Sequence, residues 1–106
     1  MPKYMIEASY SAEGLKGLAK DKASGRRAAV EKALAGVGGK LDSMYFAFGD
    51  RDVVAICDCP DNMSAAALSM ATSASGLVRT SITVLLTVEE ADSALAKTVQ
   101  YRPPGA

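Results

Sequence analysis

The feature that most constrains this chain is a period of two in its apolar residues, recurring along the sequence. In Lys3–Tyr10, the residues Tyr4, Ile6, Ala8 and Tyr10 fall on one side and Lys3, Met5, Glu7 and Ser9 on the other. Successive side chains of a strand point to opposite faces, so this stretch predicts a strand with one apolar and one semi-polar face. A second strand is expected over Leu41–Phe48, where Met44, Phe46 and Phe48 oppose Tyr45 and Ala47. The third, Asp52–Cys59, is rich in β-branched residues and apolar on both faces, which marks it as central. Val78–Leu86 alternates as a fourth.

The segments between follow helical rules. Ser11 is placed to cap a helix over residues 12–20 that Gly14 and Gly17 weaken and should keep short. Ser24 reads as the cap of a second, better helix, in which Val30, Ala33, Leu34 and Val37 form an apolar stripe. Gly38-Gly39 stops it, since glycine takes the left-handed conformation of a helix end without steric cost. Pro60 ends the third strand, Asp61 caps a helix from Asn62 to about Ser75, and Gly76 closes it. Thr87 and Glu90 fit a capping box for a last helix reaching about Lys97. Two prolines keep the terminal "TVQYRPPGA" extended.

The order β-α-β-β-α-β-α predicts an α+β, ferredoxin-like domain: a four-stranded antiparallel sheet, helices on one face and a C-terminal helix. It spans residues 1–98, followed by an arm over 99–106. A chain of 106 residues with 49% apolar content fits one domain with a packed core.

The same totals exclude much chemistry. Twelve basic and twelve acidic residues balance, which removes the electrostatic footprint of a nucleic-acid or anionic-membrane binder. Glu7 and Ser9 interrupt the start where a signal peptide would need an apolar run, and "ITVLLTV" is far short of a bilayer span. The expectation is a soluble, cytoplasmic protein. Histidine is absent, so Ser-His and Cys-His nucleophile pairs and histidine ligation of metals are excluded. Cys57 and Cys59 stand two apart on one strand face, poorly placed for a disulfide, and no other Cys or His could complete a metal site around them. A reduced, partly buried pair is expected, with no metal and no cofactor.

The blocks "MPKYMIEASYSAEGLKGL", "RRAAVEKALAGVGGKLDSMYFAFGDRDVV" and "DNMSAAALSMATSASG", taken in order, resemble the GYD domain family over almost the whole chain. The resemblance implies a small protein of the dimeric α+β barrel type, in a family without an established activity. Family members tend to carry a tyrosine just before the aspartate that starts the third strand. Here that position is Arg51, so only Gly49 and Asp52 of the pattern remain, and no role of the tyrosine carries over.

Helices on one side leave the other sheet face to be buried by something else, and the resemblance implies a second copy, sheet facing sheet. By parity this face carries Met5, Glu7, Ser9, Tyr45, Val54, Ile56, Ser81 and Thr83. A mainly apolar patch with a carboxylate, a phenol and three hydroxyls is the composition of a small-molecule pocket. Glu7 and Tyr45 are its candidate catalytic groups, Glu7 as a general base. The structural alternative pairs Glu7 with Lys3 or Arg79 at a rim. Arg26 and Arg27, after Ser24-Gly25, are a candidate anion site, against the plainer reading of solvated or paired helix arginines. Gly49–Arg51 is expected to turn the chain, with Gly49 free to take a positive φ and Asp52 accepting from nearby amides. Two functions fit: a binding or regulatory module holding a small apolar metabolite, or a cofactor-independent barrel enzyme resembling monooxygenases and isomerases. The missing histidine and phosphate loop favour the module.

Overall fold

The computed structural model describes residues 1–106. Its elements are β1 (Lys3–Tyr10), α1 (Ala12–Gly36), β2 (Lys40–Phe46), β3 (Val53–Asp58), α2 (Asn62–Ala74), β4 (Val78–Leu85) and α3 (Val88–Leu95). The four strands form one antiparallel sheet in the order β2-β3-β1-β4. This is the ferredoxin-like arrangement, and β3 is an inner strand as its composition predicts.

The period-two pattern becomes burial directly. Tyr4, Ile6 and Ala8 of β1 are buried beside Val53, Ala55 and Cys57 of β3, under the helices. Leu34 of α1 and Ala65 of α2 close the core from above. The Tyr4 phenol would be costly there without a partner, and it donates to Asn62 Oδ1 at 2.7 Å. α1 lies mainly against β2 and α2 against β4, so the two helices cover opposite edges of the same sheet face.

Caps hold the helix ends where the sequence places most of them. The Ser11 hydroxyl accepts from the Gly14 amide at 3.0 Å. Asp61 accepts from the Ser64 amide at 2.8 Å, a bond that lowers its carboxyl pKa. Thr87 and Glu90 form both halves of the capping box. At the end of α1, Gly38 has φ 79°, its amide donates to Ala35 O, and the Gly39 amide returns to Leu34 O.

Four expectations need correction. Ser24 lies inside α1 and caps nothing; the helix is interrupted at Lys22, with φ 66° and ψ 166°. The reason is tertiary: the first segment is tied to Leu77, whose carbonyl accepts the Ser11 amide at 2.9 Å, while the second follows the sheet. The β2–β3 connection is longer than a tight turn, since β2 stops at Phe46 and β3 begins at Val53. The Ala47 amide donates to Asp52 O at 2.8 Å and closes this loop. Gly49 is not among the glycines with positive φ, and its α-carbon faces open space. Asp52 does accept from a backbone amide, but from Tyr10 on β1 at 2.8 Å rather than from its own turn.

No helix is long and apolar enough to cross a membrane.

Candidate functional site

Register fixes which residues share the face that the helices leave open. Glu7 stands opposite Val54 on β3 and Ser81 on β4; Met5 stands opposite Ile56 and Thr83. Tyr45 on β2 is opposite Val54, and Ser9 is opposite Arg79. Met5, Glu7, Ser9, Tyr45, Val54, Ile56, Ser81 and Thr83 therefore do lie together on one surface. In the single chain this surface is wet: Tyr45 is 70% exposed, and Met5, Glu7, Val54, Ile56 and Ser81 are half-buried by their neighbours alone.

One end of the face is pinned electrostatically. A bulge between Leu41 and Ser43 turns Asp42 out of register, and Lys3 Nζ bridges Asp42 Oδ2 at 3.3 Å and Asp58 Oδ1 at 3.0 Å. The Asp58 hydrogen bond, then that of Asp42, raises the lysine pKa. Lys3 is thus occupied away from Glu7, and the carboxylate of Glu7 takes part in none of the chain's ion pairs. The face presents one free carboxylate amid Val54, Ile56 and Met5.

The two arginines part company. Arg27 turns outward and reaches Glu31 Oε1 at 3.8 Å, an exposed pair one helical turn along. Arg26 turns inward, to a cleft of about 90 Å³ between α1, α2 and the covered side of the sheet. They do not converge on one anion site. Strand alternation carries no trace of this cleft, but the helix does: Arg26, Ala29, Val30 and Ala33 are one helical stripe, with arginine where an apolar residue is due.

Cys57 and Cys59 are free thiols, fully buried on the core side. Burial, then the neighbouring Cys59, pushes the Cys57 thiol up to about 12, and burial raises Cys59 as well. A thiol held protonated is a poor nucleophile and a poor ligand, so this pair belongs to packing. No three acidic or sulfur side chains converge within reach of a metal ion.

The family model of the GYD domain matches residues 4–95. No curated protein and no solved structure matches the chain.

Proposed function

The chain belongs to the GYD domain family, and from that premise we propose that it is a homo-oligomeric, cytoplasmic module that binds a small apolar metabolite, or regulates through it, at its open sheet face. The observation that carries this reading is the face itself: apolar residues of the two inner strands surround the free Glu7 carboxylate, and nothing in the chain covers them. Only 10 of 106 residues are buried in the single chain, a thin core for a domain of this length. A second copy laid sheet to sheet would bury Val54, Ile56 and Met5 and enclose Glu7. The C-terminal helix and arm support the same assembly, since Leu95, Val99 and Tyr101 are 82%, 76% and 71% exposed.

The test is mass in solution, with one substitution. Light scattering at micromolar concentration should give at least twice the 11.0 kDa chain mass. Ile56→Lys, which puts an ammonium at the centre of the face, should shift the mass to a monomer. A stable wild-type monomer sinks the proposal. Native mass spectrometry of the purified assembly should then find a small organic molecule retained with it. The freedom of Glu7 from any ion pair favours a second reading, a cofactor-independent enzyme with Glu7 or Tyr45 as proton acceptor. Turnover of the retained molecule, lost in Glu7→Gln, would select it.

A further inference from the structure

The cleft on the other side of the sheet holds an unspent charge. Its floor is Ile6, Ala8 and Ala55, and its walls include Ala29 and Ala33 of α1 and Leu68 of α2. The hydroxyls that reach it from α2 and β4 are already engaged. Ser69 and Thr80 bond to each other at 2.7 Å, and Thr72 donates to the Leu68 carbonyl at 2.7 Å. Arg26 Nε is different: it is the one buried side-chain polar atom without a hydrogen-bond partner. A guanidinium cannot shed its charge at any ordinary pH, and a buried donor left unmade costs free energy comparable to a lost hydrogen bond. None of the chain's ion pairs involves Arg26.

We propose that this cleft is a binding site for a small carboxylic acid, its carboxylate on Arg26 and its short apolar body between α1 and α2 over Ile6, Ala8 and Ala55. Charge complementarity selects an anion. Guanidinium geometry favours a carboxylate, which accepts N–H donors in a planar fork. Apolar walls reject a strongly hydrated inorganic anion. Size limits the body: the cleft, about 90 Å³, is smaller than the roughly 150 Å³ void that takes up benzene, so an aliphatic tail of about four carbons fits. The site is formed within one chain and faces away from the open sheet surface, so it stands or falls separately from the proposed assembly.

The probe is pentanoate, with pentylammonium as the same body carrying the opposite charge. Titration into isotopically labelled full-length protein should move the amide signals of Ala29, Ala33 and Thr72 saturably with pentanoate and leave them in place with pentylammonium. Arg26→Met should weaken pentanoate binding at least tenfold. It removes an unpartnered polar atom from an apolar stripe, so its melting temperature should match or exceed the wild type. Ala33→Leu keeps Arg26 and fills the cleft, and should weaken binding to the same degree. No saturable shift with pentanoate, equal binding of pentylammonium, or undiminished binding in either folded variant would overturn the proposal.

Discussion

At the scale of single residues, the decisive contacts are between backbone and one side chain. Asp52 sits beside the loop, yet its carboxylate accepts the Tyr10 amide while its own amide donates to Ala8 O at 2.8 Å. It therefore extends the β1–β3 ladder one residue beyond the start of β3. Asp52→Ala should cost about 1 kcal/mol in chemical denaturation, the scale of one charged hydrogen bond that is partly replaced by water. Gly49→Ala, three residues away, should cost almost nothing, because its site is open and its φ negative. Gly14 is the opposite case: a β-carbon there would run into the Leu77 carbonyl oxygen and press on the Tyr10 ring. Gly14→Ala should lower stability by about 2 kcal/mol despite alanine's better helix propensity, since backbone cannot easily give way. The buried thiol sets an alkaline limit. Cys57 ionises near its ordinary 9.0 when unfolded and only near about 12 when folded, so its contribution is complete below pH 9 and is lost as pH rises toward 12. Urea midpoints measured from pH 8 to pH 11 should fall more steeply for the wild type than for Cys57→Ala. At neutral pH, a thiol reagent should modify neither cysteine until denaturant is added.

At the scale of elements, α1 is two helical segments joined through a strained residue. Lys22, at φ 66° and ψ 166°, occupies backbone space that is nearly glycine's alone, which costs about 1–3 kcal/mol. Lys22→Gly should relieve part of it and raise thermal stability, by about 1 kcal/mol in a two-state melt, with the kink unchanged. Lys22→Val should lower it. A helix restart near this point was legible, because the glycines and Ser24 weaken the sequence there. Its location was not, since it follows from where Leu77 and the sheet hold the two segments. The strands were legible to within a residue or two, and their faces fully, because alternation is a local property that register then carries across the sheet. The end of β2 was misplaced because "FAF" goes on alternating after its partner strand has left it. Parity puts Glu7 and Tyr45 on the less apolar side of their own strands, whereas the phase of β3, apolar on both faces, is fixed by the register that sets Val54 opposite both. The cleft followed from neither, because it is set by the spacing of two helices that cover opposite edges of the same sheet face.

At the scale of the whole molecule, the chain is not compact. It measures 55 × 32 × 22 Å with a Cα radius of gyration of 16.8 Å, against about 13 Å for a typical domain of this length. α3 buries none of its residues, so the excess is an extension at the C-terminal end. On the proposed assembly, that extension lies on the neighbouring copy. Removing residues 99–106 should therefore weaken association in sedimentation equilibrium severalfold, while amide exchange in β1 and β3 of the remaining monomer stays slow. The sheet order has a further consequence, in the time domain of synthesis. β1 is made first but sits inside the sheet, and its flanking partner β4 is made last, with Lys3 facing Leu85 across the ladder. At roughly 5–20 residues per second, the first strand emerges with one edge unpaired for several seconds before β4 exists. The alternating "YMIEASY" is thus a nascent-chain hazard before it is a core, and Lys3 and Glu7 are the charges within or beside it that discourage pairing with a neighbouring chain.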